Sequence, residues 1–197
     1  MKKQLIAALI LVGATGFAHA AGDAAAGKTK AAACAACHMA DGNSMIPTFP
    51  KIAGQHVPYV VKQLTAFKAG TRKDATMFGM TAALSEQDMA DIAAYFATQS
   101  TSVGTADAAK AAIGKKIYQG GNKETGLAAC MACHGPAGKG NAGAKFPSIT
   151  GQHTAYTIKQ LKDFRSGARS DLMMNDIATK MSDAEIDSVA EFIQGLH

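Results

Sequence analysis

Two short segments carry the residues best suited to chemistry. Cys34-Ala35-Ala36-Cys37-His38 recurs as Cys130-Met131-Ala132-Cys133-His134, a shift of 96 residues. Four cysteines in one chain admit two disulfides, a redox-active dithiol, or thiolate ligands for zinc. The residue after each pair discriminates. With six His in 197 residues, a chance His at both positions is about a one-in-a-thousand event, whereas C-x-x-C-H is the attachment signature of c-type haem. Two thiols one helical turn apart can each bond one vinyl group of a single porphyrin, and the adjacent imidazole then lies under the iron. Cys34, Cys37, Cys130 and Cys133 are the expected attachment points, and His38 and His134 the expected proximal ligands. A dithiol reading needs a βαβ context, and a four-thiolate zinc site would have to join motifs 93 residues apart.

The elements around these motifs repeat too. Phe49-Pro50-Lys51-Ile52-Ala53-Gly54-Gln55-His56 matches Phe146-Pro147-Ser148-Ile149-Thr150-Gly151-Gln152-His153 at a shift of 97, and Tyr59, Lys62, Gln63, Leu64 and Phe67 match Tyr156, Lys159, Gln160, Leu161 and Phe164. The chain is a tandem duplication, with expected domains at 21–104 and 105–197 joined by the small polar segment 100–105. Domains of this size are marginal by core burial alone, so a cofactor filling each core would help. The pattern is all-α. Ser85-Glu86-Gln87-Asp88 and Ser182-Asp183-Ala184-Glu185 read as helix starts, each followed by apolar residues at helical spacing.

The sixth iron ligand separates a carrier from an enzyme. Methionine is the soft thioether that raises an iron potential for electron transfer, and the repeat selects among ten of them. Met77 plus 97 is Met174. The other downstream methionines map onto Ile, Thr or Leu, so Met77 and Met174 are the expected distal ligands, with Met80 and Met173 as local rivals. His56 and His153 are duplicated too and offer bis-His ligation as an alternative, but directly after Gly-Gln they suit a turn or an interface better. The backbone carbonyls of Pro50 and Pro147 are placed to accept the proximal imidazole Nδ1 protons. Tyr59, Tyr156, Gln63 and Gln160 suit either propionate binding or helix packing.

Residues 1–20 stand apart. Lys2 and Lys3 precede an apolar run from Leu5 to Val12, closed by Ala18-His19-Ala20, which is the pattern of a secretory signal cleaved after Ala20. A periplasmic, oxidising location follows as the expectation. The formal charge of +5 falls to +3 without the two leader lysines, and 48% hydrophobic with 18% charged residues excludes a disordered chain. No basic recognition element points to nucleic acid. Salt-sensitive docking to a membrane complex, as a peripheral association, fits this charge.

The two CxxCH motifs, the Phe-Pro-x-Ile-x-Gly-Gln segments, the Lys-Gln-Leu helices and the closing Phe192-Ile193-Gln194-Gly195-Leu196-His197 resemble the cytochrome c4 family over nearly all of the chain after residue 20. That resemblance implies two tandem class I cytochrome c domains related by approximate two-fold symmetry, two covalently attached haem c groups with His/Met ligation, and no enzyme activity. It further implies periplasmic electron carriage, one electron at a time, from a respiratory donor complex toward a haem-copper oxidase. Two other roles remain open at this level: an electron-accepting subunit of a flavoprotein dehydrogenase, and a dihaem enzyme such as a peroxidase.

Overall fold

The computed structural model describes residues 21–197; the expected secretory signal lies outside them. In the first half, α1 (Ala24–Lys30) is capped by the Asp23 carboxylate, which accepts from the Ala25 and Ala26 amides. It runs through a 3-10 turn, Ala31–Cys34, into α2 (Ala35–His38). Then come α3 (Val57–Lys68), α4 (Ala75–Thr81) and α5 (Glu86–Ala97). The second half repeats the order as α6 (Ala108–Gly120), α7 (Met131–His134), α8 (Thr154–Ser166), α9 (Leu172–Thr179) and α10 (Asp183–Gln194). The only bridges among the described residues are two isolated ones, Asn122 with Leu127 and Asn141 with Phe146, so the all-α expectation holds.

In each half the first helix crosses the last, α1 on α5 and α6 on α10. Glycine makes the crossings possible by close approach. A Cβ at Gly27 would lie 1.9 Å from the Asp91 carbonyl oxygen, and one at Gly114 would lie 1.9 Å from that of Ser188. Asp91 and Ser188 are equivalent at the 97-residue shift, so both crossings use one geometry. Both closing helices begin with full capping boxes, at Ser85 with Asp88 and at Ser182 with Glu185; each box is worth about 1 kcal/mol of helix stability.

The cores are unequal. In the second half Tyr118, Ile186, Val189, Ile193 and Leu161 belong to one contiguous cluster of nine buried side chains, whereas the first half's contiguous cluster is Ala31, Ile92 and Phe96, with Val60, Phe67 and Met89 buried apart from it. At about 1.5–3 kcal/mol per buried large apolar side chain, the first half depends more on a cofactor to complete its interior.

Segment 100–105 has no regular structure, as expected, yet it is pinned along its length. Asn43 bonds the Ser100 carbonyl and the Ser102 amide, the Thr101 hydroxyl donates to the Ala53 carbonyl, and Lys51 Nζ donates to the Ser102 carbonyl at 2.7 Å. Gln194 of the other half receives Gly104 N–H on its carbonyl and donates its amide to the Thr105 carbonyl. The connection is a strap laid over both halves.

Candidate functional site

Helices α2 and α7 are single turns, and their brevity is what matters: each places two cysteines at i and i+3 with a histidine directly after. Cys34 closes the 3-10 turn and Cys37 lies on α2; Cys130 begins α7 and Cys133 lies within it. All four thiols are free, which removes the disulfide reading. The two pairs are not gathered into a metal cluster among the described residues. Burial pushes the Cys34 thiol up, and the Cys130 thiol up to about 11. A redox dithiol needs a depressed pKa to supply thiolate, so this environment is the wrong one for that chemistry.

His38 and His134 are both buried. Each Nδ1–H donates to a backbone carbonyl, His38 to Pro50 at 2.8 Å and His134 to Pro147 at 3.0 Å, as the sequence suggested. Burial holds both imidazoles below their ordinary pKa against the opposing pull of those carbonyls. The result is a neutral ring with the proton fixed on Nδ1. Nε2, which carries no hydrogen bond among the described residues, keeps its lone pair for a metal.

Met77 and Met174 sit at matching positions of α4 and α9, and in both helices the N-cap aspartate accepts the methionine's own amide: Asp74 from Met77 at 2.9 Å, Asp171 from Met174 at 3.3 Å. Both side chains are half-buried. Their rivals point outward, with Met80 42% and Met173 51% exposed. Met174 packs on the same core as Cys130. Met77 is not among the side chains packed on the smaller core that holds Cys34.

Between the halves, the repeated Gly-Gln-His segments meet reciprocally. Gln55 accepts from the Ser148 amide at 2.9 Å and donates to the Ser148 carbonyl at 2.8 Å; Gln152 does the same to Lys51 at 2.9 and 2.8 Å. His56 Nε2 donates to the Lys139 carbonyl and His153 Nε2 to that of Ser44, so these histidines have the interface role expected of them. Tyr59, Tyr156, Gln63 and Gln160 surround two residues the sequence reading missed. Arg72 donates to Tyr156, Gln63 and Gln160, and Arg169 donates to Tyr59, Gln63 and Gln160. Each guanidinium also stacks on an aromatic ring, Arg72 on Phe67 and Arg169 on Phe164. The signal for them was present, because Arg72 plus 97 is Arg169.

This donor set fits a covalent haem in each half. Two thiols one turn apart, an imidazole with an available Nε2 and a half-buried thioether are the chemistry such a group requires. The two guanidiniums support the fit independently. Neither has a carboxylate within ion-pair distance among the described residues, and like charges gathered at an interface call for anions such as propionates.

The family model for cytochrome c matches twice, over residues 24–100 and 111–197. Cytochrome c4 of Pseudomonas aeruginosa is 50% identical, with all of both chains covered. A thiosulfate dehydrogenase electron acceptor of Stutzerimonas stutzeri is 39% identical over 82% of this chain and 78% of its own. The crystal structure of reduced recombinant cytochrome c4 from Pseudomonas stutzeri superposes with a TM-score of 0.87 at 50% identity, over 90% of this chain and 100% of that one. The chain therefore belongs to the cytochrome c4 family, as a dihaem c-type electron carrier of two tandem cytochrome c domains with two covalently attached haem c groups.

Proposed function

We propose that the chain relays single electrons in the periplasm, after cleavage at Ala20, between a respiratory donor complex and a haem-copper oxidase, and that it is not an enzyme. In this reading domain 21–104 holds one haem through Cys34 and Cys37, with His38 and Met77 as axial ligands. Domain 105–197 holds the other through Cys130 and Cys133, with His134 and Met174. The bound haem supplies reversible one-electron chemistry. The protein's part is to keep each imidazole neutral and oriented through Pro50 and Pro147, to shelter the site, and to neutralise propionate charge with Arg72 and Arg169.

The observation that carries the reading is that each half holds a buried Nδ1-anchored histidine and, at matched positions of α4 and α9, a half-buried methionine whose neighbouring methionine is exposed. A filled sixth position excludes substrate from the iron and leaves only charge transfer. No helix among the described residues is long and apolar enough to cross a membrane, so membrane contact in this reading is peripheral docking. A second reading, an electron-accepting partner of a dehydrogenase, draws support from the name of the relative that is a thiosulfate dehydrogenase electron acceptor.

Optical and magnetic spectra of the purified protein test the ligand set. Two low-spin haems with a thioether-to-iron charge-transfer band in the far red are expected, with half of that band lost in Met77→Ala and half in Met174→Ala, each with a fall in one midpoint potential. Unchanged spectra and midpoints in both variants would overturn the assignment, as would a high-spin, peroxide-responsive haem in the parent protein.

A further inference from the structure

Resting on His38 and His134 as proximal ligands, we infer that Gln152 and Gln55 are positioning residues in trans: each tunes the proximal histidine of the haem in the opposite domain, through one peptide group. The Gln152 carbonyl accepts the N–H of Lys51 at 2.9 Å. That N–H belongs to the same peptide unit as the Pro50 carbonyl, which accepts His38 Nδ1–H at 2.8 Å. The chain therefore runs from the Gln152 amide in domain 105–197, across the Pro50-Lys51 peptide, to the imidazole of domain 21–104. Its mirror runs from Gln55 to the Ser148 N–H at 2.9 Å, and from the Pro147 carbonyl to His134 Nδ1 at 3.0 Å.

The physics has a definite sign. A hydrogen bond accepted from a peptide N–H polarises that peptide and makes its carbonyl a better acceptor, by about 10–30% per bond. A better acceptor draws the imidazole proton harder and makes Nε2 more basic, which favours ferric over ferrous iron. The glutamines thus hold the opposite haem's potential down. Their geometry is built for this. Gly54 and Gly151 stand at φ +66° and +63°, a left-handed turn that only glycine adopts without strain, and their amides are tied to the last helix of their own half at Phe96 and Ile193. The second amide atom of each glutamine donates to the carbonyl of the same residue, at 2.8 Å in both copies, so neither side chain can rotate without losing both bonds. Gln55 is 8% exposed, which keeps water from substituting for it.

The test uses the full-length protein with both haems in place, reading each haem's midpoint and the exchange protection of each axial imidazole Nδ1–H by NMR. Gln152→Leu is expected to raise the midpoint of the haem in domain 21–104 by about threefold in the redox equilibrium, about 30 mV at 59 mV per tenfold for one electron, and to expose the His38 ring N–H to faster exchange. Gln55→Leu does the same to the other haem and to His134. Gln152→Glu keeps an accepting oxygen and leaves the first midpoint at or below the parent value, so a fold-disrupting effect of leucine is separated from loss of the acceptor. His153→Gln breaks a cross-domain bond that ends on Ser44 rather than on a proline peptide, and leaves both midpoints in place. The inference is overturned if Gln152→Leu shifts the haem of its own domain, if neither haem moves, or if His153→Gln moves a midpoint as far. A parent protein without His/Met spectra would instead sink the ligand assignment, which the same NMR spectra report.

Discussion

Replacing Gly27 with alanine probes the crossing that delivers the first CxxCH segment to its place. The new Cβ would stand 1.9 Å from the Asp91 carbonyl oxygen, 2.5 Å from its carbon and 2.9 Å from Tyr95 Cβ. Ordinary contact begins at 3.4 Å, so α1 and α5 would have to part by about 1.5 Å. Two of the three obstacles are backbone atoms of a packed helix and cannot rotate aside. Overpacking of this kind costs about 1–3 kcal/mol and at times more, against less than about 1 kcal/mol recovered from the better helix propensity of alanine. Because two of the obstacles are backbone, the cost lies at the top of that range, and we expect a net loss of about 2–3 kcal/mol. For a domain of this size each kcal/mol corresponds to roughly 4–8 °C, so the first domain's melting point should fall by about 10–20 °C. Circular dichroism during heating gives the helix transition, and the Soret band shows whether the haem environment of α2 loosens with it. Gly79→Ala is the control: it lies within α4 with nothing within 4 Å of its added Cβ, so it should stabilise by up to about 1 kcal/mol. If Gly27→Ala melts within a few degrees of the parent, close helix approach is not what fixes the motif.

Two further outcomes follow from charged groups. Lys30 holds the Asp91 carboxyl below its ordinary 3.8, helped by the Asp23 amide and Gln87. Because the folded pKa is depressed, the stabilisation is present above about pH 4 and lost as pH falls toward the lowered value. Asp91→Asn should therefore be less stable than the parent at neutral pH, with the gap closing in denaturation curves taken below about pH 4; a gap independent of pH would contradict the assignment. At Asp171, partial burial raises the carboxyl, but Lys62 and the Met174 and Met173 amides outweigh it and hold it low. Lys62→Met should cost less than about 1 kcal/mol, as for other exposed pairs, whereas Asp171→Ala should cost about 1–2 kcal/mol as a lost helix cap and weaken the far-red band of the second haem. Equal effects of the two changes in chemical denaturation would refute this division.

What the sequence disclosed is what repeats at a constant shift or at helical spacing. The CxxCH pairs, the Met77 and Met174 register, the Pro50 and Pro147 carbonyls and the two closing helices were all readable that way. Ser182-x-x-Glu185 carries the full capping-box signature and Ser85-x-x-Asp88 departs from it, yet the shorter carboxylate closes its box as well. Gly27 and Gly114 were hidden because the second half carries nine more residues between this glycine and its CxxCH, which breaks the register. The roles of Arg72, Arg169, Gln55 and Gln152 depend on contacts more than 80 residues apart in the chain. Local periodicity holds no information about such pairs. The strap at 100–105 was legible as a break in helix but not as a set of bonds, since its backbone groups bond Asn43 and Lys51 of one half and Gln194 of the other, all distant in the chain.

The interface divides into a part that stayed symmetric and a part that did not. The glutamine and histidine contacts directed at peptide groups have counterparts on exchanging the halves: Gln55 with Gln152 and His56 with His153. This is the isologous pattern of a closed two-fold pair, in which a surface is complementary to its own copy. The ion pair breaks it. Lys62 reaches across to Asp171, whereas the equivalent Lys159 turns to Asp163 on its own helix and leaves Asp74 to its capping role. Likewise Lys51, buried and bonded to the strap, stands where the other half has Ser148. Peptide acceptors are present whatever residue carries them, so the docking of the halves and the proximal hydrogen bonds survive divergence at these positions. Charge then differs between the two halves at these positions while the clamps that orient the proximal histidines stay the same, so charge can change in one half without disturbing the hydrogen bonds shared by both.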